Sequence, residues 1–342
     1  MAPLLEAKNV SKVFGSGQQV TVALDNFSLV VSGDQSSFTS IAGESGSGKT
    51  TLARLLLGFS QPTSGQILYE GKDLWKMSSA EWRQFRRDVQ AIFQDPFEVF
   101  NPFYRVDHLL TTPIEKFHLA KSKAEARSQI EQALAAVGLR PDETLGRFPH
   151  QLSGGQRQRL TIARALLLHP KLIIADEPVS MVDASLRATI LESLNSLHTQ
   201  FGISFIYITH DLTTAYQISD NIIVLYRGAI AEVGDVELVI KKPSHPYSRL
   251  LIASIPEPDV EHRWGEDQEL TTATDVKAGA NHGCKFADRC PFVMPMCTEN
   301  VPPLYRTDDR RAAACFLHRE APVLASERLE SVMSGKATAG AG

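Results

Sequence analysis

The 342-residue sequence lacks any hydrophobic run of the length that crosses a bilayer. No stretch approaches the roughly 20 consecutive apolar residues that a membrane-spanning helix needs. The start, MAPLLEAKNVSKVF, reaches Glu6 and Lys8 before any long apolar run, which is not the pattern of a secretory signal. We therefore expect a cytosolic chain that needs a separate membrane-spanning partner for any work at a membrane.

The sequence also lacks an excess of basic residues. Lys and Arg total 35 against 39 Asp and Glu, so the formal net charge is −4. A protein that binds nucleic acid electrostatically usually carries a basic excess. The charge balance therefore disfavours nucleic acid as a partner.

Cysteine is absent from the first 280 residues. The four cysteines, Cys284, Cys290, Cys297 and Cys315, follow the spacing C-x5-C-x6-C-x17-C. In a reducing compartment such clustered thiols are better metal ligands than disulfide partners. Four thiolates suit a [4Fe–4S] cluster or tetrahedral zinc, although zinc sites usually have tighter spacing. Unmetallated buried thiols are the third alternative.

The hydrophobic pattern predicts an α/β fold. Short apolar runs at 36–43, 171–176 and 203–210 are typical of strands buried on both faces of a parallel sheet. Helical patterns at 121–138 and 156–170 lie between them. The length is that of about two domains. A polar, proline-bearing stretch at about 257–280 predicts a linker.

A phosphate-binding loop is predicted at residues 43–50. The segment GESGSGKT fits G-x-x-x-x-G-K-[ST], follows a predicted strand and opens a predicted helix. Glycines let backbone N–H groups approach phosphate oxygens, while Lys49 reaches the β- and γ-phosphates and the Thr50 hydroxyl ligates Mg²⁺. The predicted ATP-binding residues of the loop are Gly43, Ser45, Gly46, Ser47, Gly48, Lys49, Thr50 and Thr51.

The apolar strand LIIAD ends at Asp176, and a second acidic residue, Glu177, follows it directly. Because the phosphate loop lies upstream, Asp176 is predicted to hold Mg²⁺ through a water molecule and Glu177 to orient or activate the attacking water.

A second glycine motif resembles the signature of the ABC-transporter ATPases. Leu152-Ser153-Gly154-Gly155-Gln156 precedes an amphipathic helix and begins 24 residues before Asp176. The resemblance implies a P-loop ABC ATPase domain over residues 1–240. Its parts would be a RecA-like core, an antiparallel β subdomain and an α-helical signature subdomain at about 95–165.

The resemblance also implies further site residues. Gln94 matches the Q-loop glutamine that senses Mg²⁺ and water, and His210 matches the switch histidine. Phe14 matches the aromatic residue that stacks on adenine. Two such domains pack head to tail in this family, so that Ser153, Gly154, Gly155, Gln156 and the D-loop Asp183 would act on the ATP of the partner subunit.

The sequence departs from close relatives at two places. The loop reads GKTT where GKST is usual, and both supply a hydroxyl. The D-loop reads SMVD where SALD is commoner, and the bulkier Met181 and Val182 could alter dimer packing.

The segments FPHQLSGGQRQRL and DEPVSMVD resemble those of the F-type ATPase subunit of peptide permeases more than those of its D-type sibling. The segment after residue 240 resembles the C-terminal extension of oligopeptide and dipeptide permease ATPases. The resemblance rests on His245-Pro246-Tyr247 and on GCKFADRCPF with the cysteines that follow it. We expect this extension at 241–319 and a flexible tail at 320–342. Members of this subfamily carry a [4Fe–4S] cluster on this cysteine pattern, which the resemblance extends to the four cysteines here.

The resemblance implies an ATP-hydrolysing subunit on the cytoplasmic face of the cell membrane. Its partners would be a second ATPase subunit, either a related D-type chain or a second copy, two transmembrane permease subunits and an extracytoplasmic binding protein. Peptides are the implied cargo, with oligosaccharides as the rival. The permease would dock near Phe97, Phe100, Asn101, Pro102 and Phe103.

The sequence disfavours two other classes of ATP-binding protein. A soluble ABC ATPase of nucleic-acid or ribosome function usually has tandem domains, a coiled coil or a basic surface, none of which the sequence shows. A regulatory protein that uses nucleotide as a switch would tolerate the loss of Glu177 or His210, but both are present.

Overall fold

Two β-sheets carry the fold in the computed structural model, which describes residues 2–16, 19–255 and 283–333. The linker predicted at about 257–280 lies outside these residues, as do residues 334–342. In chain order the strands are β1 (Leu5–Ser16), β2 (Gln19–Val31), β3 (Phe38–Ala42), β4 (Ser64–Tyr69), β5 (Lys72–Asp73), β6 (Val89–Ile92), β7 (Leu172–Asp176), β8 (Ser204–Thr209), β9 (Asn221–Tyr226), β10 (Ala229–Asp235), β11 (Tyr305–Asp308) and β12 (Arg311–Ala313).

The α-helices lie mainly between consecutive strands of the chain. They are α1 (Lys49–Leu56), α2 (Ser79–Asp88), α3 (Asp107–Phe117), α4 (Lys123–Ala136), α5 (Pro141–Thr144), α6 (Gly154–Leu166), α7 (Ala184–Phe201), α8 (Leu212–Ile218), α9 (Val236–Lys241), α10 (Pro246–Ala253) and α11 (Pro295–Glu299). No helix of the described residues has both the length and the apolar character needed to cross a membrane.

The larger sheet has eight strands in the order β11-β12-β10-β9-β3-β8-β7-β6. Strands β9, β3, β8, β7 and β6 are parallel, as the continuous apolar runs predict for strands covered on both faces. Every residue of β3 and β8 is buried. The carboxyl ends of β3, β7 and β8 meet at one edge, where the phosphate loop and the acid pair follow the strands.

The second sheet is antiparallel, in the order β2-β1-β4-β5. It shares one hydrophobic core with α1 and the larger sheet, in which Phe27, Leu52 and Ile208 are fully buried. A separate core joins the sheet to helices α3, α4, α6 and α7 through residues such as Leu110, Leu134 and Leu160. The three expected parts of the ATPase architecture are therefore present.

The C-terminal extension adds to the larger sheet instead of forming a sheet of its own. Strand β12 pairs antiparallel with β10, with Glu232 opposite Ala313. Tyr247 of α10 and Phe286 are buried against the end of β9, with Tyr247 and Tyr226 ring centroids 4.5 Å apart. The extension is thus continuous with the ATPase core.

Residues 320–333, for which the sequence predicts part of a flexible tail, instead pack on the core. A 3₁₀ segment, Ser326–Val332, buries Leu329 and Val332 at 1% and 0% exposure in the core shared by the two sheets. The prediction relied on the small polar residues at the end of the chain and overlooked these apolar side chains, whose burial removes them from water.

His245 connects the extension to β10 as a buried, neutral side chain. Its ring Nδ1 accepts a hydrogen bond from the backbone N–H of Tyr247 at 3.0 Å, and the backbone N–H of His245 donates to Glu232 Oε2 at 2.9 Å. Burial lowers the pKa of His245 from 6.5 to about 4. Between these pH values the unfolded chain binds the proton and the folded chain does not, so stability is present above pH 6.5 and is lost as the pH falls.

We predict that the free energy of unfolding falls by about 2 kcal/mol between pH 7 and pH 5 through His245. Urea unfolding of the parent and of His245→Asn at both pH values measures this contribution. Asparagine keeps an acceptor for the Tyr247 N–H but has no proton to bind, and other groups titrate in both proteins. The variant should therefore show the shallower pH dependence, and equal slopes would contradict the prediction.

Candidate functional site: a nucleotide-binding cavity at the sheet edge

The phosphate loop connects β3 to α1 and depends on two glycines. At Gly43, with φ 153°, a Cβ would lie 2.2 Å from the carbonyl oxygen of Leu225. At Gly48, with φ 104°, a Cβ would lie 2.3 Å from the carbonyl oxygen of Ala23. A side chain fits at neither position, because neighbouring backbone from β9 and β2 already occupies the space.

Lys49 places a cation in the middle of this loop. Its Nζ donates to the carbonyl oxygens of Gly43 at 2.7 Å and Glu44 at 2.9 Å, and the residue is 6% exposed. Burial lowers the pKa of Lys49, while the charges of Glu177 and Asp176 act against this shift. The loop therefore surrounds one buried ammonium group, and the positive charge of this group suits the site to an anion.

A cavity of about 560 Å³ opens over this loop and collects most of the residues predicted for the site. The predicted residues that line it are Ser45, Gly46, Gly48, Lys49, Thr50, Thr51, Gln94, Glu177 and His210. Thr21, Val22 and Ala23 of β2 form another wall that sequence reasoning missed. Phe14 of β1 pairs with Thr21 and is 47% exposed, which places it beside the cavity and outside the core.

Asp176 has the surroundings of a magnesium ligand. Its Oδ1 is buried and has no hydrogen-bond partner among the described residues. Its carboxylate accepts a hydrogen bond from the Thr50 hydroxyl, and burial, with the charge of Glu177, raises its pKa. A bound divalent cation would use the free oxygen and the hydroxyl, which are the hard oxygen donors that Mg²⁺ prefers. The donor set therefore fits Mg²⁺.

Glu177 and His210 form a pair at the same edge. His210 Nδ1 lies 3.0 Å from Glu177 Oε2. The Glu177 backbone has φ 47°, a strained conformation for a residue with a side chain, and its N–H donates to the Ile208 carbonyl at 2.9 Å. Strain of this kind persists where the surrounding structure imposes it, often at active sites. Here it aims the carboxylate into the cavity that contains Lys49.

The signature motif begins α6 away from this cavity. Ser153 Oγ accepts from the Gln156 N–H at 3.2 Å, and Gln156 Oε1 accepts from the Ser153 N–H at 2.9 Å, which is a capping box. A Cβ on Gly155 would lie 2.8 Å from Leu186 Cδ1 on α7. Asp183 precedes α7 and makes no side-chain hydrogen bond to cap it. Ser153, Gly154, Gly155, Gln156 and Asp183 do not line the cavity over Lys49.

Gln158 is a residue of the signature helix that sequence reasoning missed. It is fully buried, and its Nε2 donates to the carbonyl oxygen of Phe93 at 3.3 Å, next to Gln94. Arg164 on the same helix donates to the Ala91 carbonyl at 2.8 Å. Gln158, which is buried, and Arg164, which is half-buried, thus tie the signature helix to the segment that carries the Q-loop glutamine. A glutamine on the apolar face of a predicted helix is the signal that could have found it.

The four cysteines are free thiols gathered in the extension. Burial, with smaller contributions from the other three thiols, raises the pKa of Cys315 to about 11, so all four lie within electrostatic reach of one another. Backbone N–H groups of Phe286, Phe292 and Leu317 donate to three of the sulfurs. Yet among the described residues no three His, Cys, Asp or Glu side chains are arranged to hold a metal ion. The donor chemistry fits a thiolate-bound metal, but the side-chain arrangement does not.

These elements define an ATP-hydrolysing domain of the ABC type. The phosphate loop, the acid pair, the Q-loop glutamine and the switch histidine line one cavity, and a capped signature helix lies apart from it.

Comparisons with known proteins agree with this class. Residues 24–180 match the family described as ABC transporter, and residues 231–297 match the oligopeptide/dipeptide transporter, C-terminal region. A putative oligopeptide transport ATP-binding protein of Bacillus subtilis, YkfD, is 38% identical over 93% of this chain and 97% of its own length. The oligopeptide transport ATP-binding protein OppF of Salmonella typhimurium is 39% identical over 81% of this chain and 82% of its own length.

Two solved structures share the fold. The ATP-binding cassette MJ0796 was solved as a dimer in a post-hydrolysis state bound to ADP and Pi. Its TM-score is 0.60 at 29% identity, and the match covers 68% of this chain and 98% of the MJ0796 chain. The structure of cbiO1 from Clostridium perfringens has a TM-score of 0.61 and 25% identity, over 71% of this chain and 92% of that one. The chain belongs to the ABC transporter ATP-binding proteins, and within them to the group with the oligopeptide/dipeptide transporter C-terminal region.

We predict that Glu177→Gln retains ATP binding but lowers ATP turnover by about 100-fold or more, because the amide cannot accept a proton from the attacking water. Phosphate release and binding of a fluorescent ATP analogue measure the two properties. The matched control is Glu192→Gln, an exposed position on α7, which should leave both unchanged. Undiminished hydrolysis by Glu177→Gln would overturn the assignment of this residue.

Proposed function

We propose that this chain is the ATP-hydrolysing subunit of a membrane importer for oligopeptides or dipeptides. The observation that carries the proposal is the combination of a complete nucleotide site with a C-terminal region of the oligopeptide/dipeptide transporter kind. The relatives named above are oligopeptide transport ATP-binding proteins. We assign the ATPase domain to residues 1–240 and the extension to 241–319, and place the chain peripherally on the cytoplasmic face of the membrane.

The chemistry follows from the positions of the charged groups. Lys49 and the loop N–H groups bind the phosphates of ATP at the start of α1, where the helix dipole also favours negative charge. Mg²⁺ held by Thr50, Asp176 and Gln94 would neutralise charge that develops on the phosphates. Glu177 orients a water molecule for attack on the γ-phosphate and accepts its proton, while His210 holds the Glu177 carboxylate in place.

We propose that two ATPase subunits complete each site. The signature residues and Asp183 lie outside the cavity over Lys49, so a partner subunit is needed to bring such residues to the ATP bound there. The ATP-binding cassette similar in fold is described as a dimer. The partner would be a second copy or a related D-type subunit. Ser153, Gly154, Gly155 and Gln156 would in turn contact the partner's ATP with the N-terminus of α6.

We propose that the permease subunits dock beside the Q-loop. An apolar cavity of about 600 Å³ lies between α2, β6 and α3, lined in part by Phe100, Asn101 and Tyr104. The Phe103 N–H donates to Asn101 Oδ1 at 3.0 Å, and Phe103, which precedes the lining residue Tyr104, is 88% exposed. An exposed aromatic residue next to an apolar cavity is typical of an interaction surface. The side chain of Phe97 lies outside the described structure, and Pro102 does not line the cavity.

We predict that the native protein co-purifies from membranes with two multi-span permease subunits and a second ATPase subunit. Phe103→Asp should reduce recovery of the permease subunits because it places a charge on an apolar interface. The matched control Phe201→Asp, at the exposed end of α7, should leave recovery unchanged, and both variants should bind ATP.

Mass spectrometry of the purified material identifies the partners. The accompanying binding protein can then be screened with peptides and oligosaccharides, where preference for a sugar would contradict the peptide cargo. Recovery with nucleic acid or ribosomes and without permease subunits would overturn the importer proposal.

We propose that the four cysteines hold a [4Fe–4S] cluster that staples the extension, with zinc as the alternative metal. Support comes from the chemistry of four gathered thiols and from the backbone N–H groups that donate to three of them and, at 3.5 Å, from Met294 to Cys297 Sγ. Small regions with few buried apolar residues are commonly stabilised by metals. The proposal requires the side chains of the four cysteines to adopt a more convergent arrangement than the present one.

We predict about four iron atoms per chain, with a brown colour, after anaerobic purification. Metal analysis of the parent and of Cys315→Ser measures the content, and Cys315→Ser should lose most of the iron. One zinc atom per chain would favour the alternative. A colourless, metal-free protein with a normal thermal unfolding curve would exclude both metals.

A further inference from the structure

Glu44, the second residue of the phosphate loop, forms hydrogen bonds through its carbonyl oxygen, its backbone N–H and its carboxylate. Its carbonyl oxygen accepts from Lys49 Nζ at 2.9 Å, as described above. Its N–H donates to Tyr247 Oη at 2.9 Å. Its carboxylate accepts two hydrogen bonds from Arg289, at 3.0 Å from Nη1 and 3.1 Å from Nη2. Two of the three contacts come from the C-terminal extension.

Arg289 is held by the turn between the first two cysteines. Its guanidinium lies over the rings of Tyr226 and Phe286, with 5.9 Å and 5.8 Å to the ring centroids. The hydrogen bonds that Arg289 donates to the Glu44 carboxylate raise the pKa of Arg289 above its ordinary value. An arginine side chain is a permanent cation in proteins. A bidentate pair with a rigid guanidinium fixes direction as well as distance.

Ion pairs also join this turn to the ATPase domain, at the β9–β10 turn and at β2. Asp288 pairs with Arg227 at 2.9 Å, and Lys285 pairs with Asp25 at 2.8 Å. Lys285 Nζ also donates to the Arg227 carbonyl at 2.9 Å. Residues 285–289 therefore lie on the β9–β10 turn, whose contacts hold them in place while Arg289 binds the phosphate loop.

The charge of Glu44 makes this contact relevant to nucleotide binding. Its carboxylate extends from a loop that binds phosphate, where an unpaired negative charge would repel the ligand. Arg289 neutralises that charge and fixes the loop conformation that Lys49 also depends on. We propose that Arg289 is a positioning residue for the phosphate loop, acting through Glu44, so that the Cys-bearing extension sets the affinity of the site for ATP.

This proposal rests on the proposed ATPase function, and the test uses the full-length chain. Arg289→Ala should raise the KM and Kd for MgATP about three- to fivefold, the effect of losing a partly exposed ion pair, while kcat changes less than twofold. Arg289→Lys keeps the charge without the two-point contact, so its KM should lie between those of the parent and Arg289→Ala.

The double variant Glu44→Gln/Arg289→Ala separates this role from a merely structural one. Because it removes the unpaired carboxylate, its KM should return to within about twofold of the parent value, giving a non-additive cycle. The matched control is Arg310→Ala, which breaks another ion pair between extension and core, Arg310–Asp235 at 2.7 Å, with no contact to the loop. It should leave the KM for ATP unchanged.

Equal KM values for Arg289→Ala and Arg310→Ala would overturn the proposal, and so would a double variant with the KM of Arg289→Ala. Should Arg289→Ala fail to fold, Arg289→Lys and Glu44→Gln/Arg289→Lys provide the same comparison. Failure of the ATPase function itself is seen separately, as undiminished hydrolysis by Glu177→Gln.

Discussion

The burial of one ammonium group, that of Lys49, is the constraint on which the rest of this structure depends. A buried cation must be surrounded by hydrogen-bond acceptors, and the loop supplies two of its own carbonyl oxygens. Those carbonyls can turn inward because Gly43 and Gly48 adopt backbone conformations that other residues rarely tolerate. The acids at the end of β7 then lie close enough to act on the pKa of Lys49.

Distant parts of the chain meet at this loop and restrain it. The backbone of β2 and β9 packs directly against the two glycines, so neither position can accept a side chain. The extension reaches the same loop through Glu44, whose N–H and carboxylate are bound by Tyr247 and Arg289. The nucleotide cavity is thus lined by the N-terminal hairpin and by segments that follow strands of the parallel sheet, while the extension contacts the phosphate loop from outside the cavity. Each of them contacts the phosphate loop or lines the cavity over it.

The signature helix has a different relation to the cavity. None of its residues lines the cavity, yet Arg164 donates to the carbonyl of Ala91 in β6, and Gln158 donates to the carbonyl of Phe93, which lies between β6 and Gln94. Gln158 is buried and Arg164 is half-buried, and breaking the bond of Gln158 would leave its buried amide without a partner for its N–H. These hydrogen bonds therefore connect the helical subdomain directly to the Q-loop segment. The apolar cavity proposed for the permease lies beside the same segment, so docking, signature and catalytic residues share one set of contacts.

The sequence by itself determined the α/β class, the parallel strands and most residues of the cavity, because phosphate binding demands glycines, a lysine and acids at fixed separations along the chain. Only the tertiary structure decided the contacts between segments far apart in sequence, such as Glu44 with Arg289 and the β2 wall of the cavity. It also showed that Leu329 and Val332 are core residues. These features depend on which surfaces face each other after folding. The local sequence pattern of a segment does not determine which distant segment it will contact.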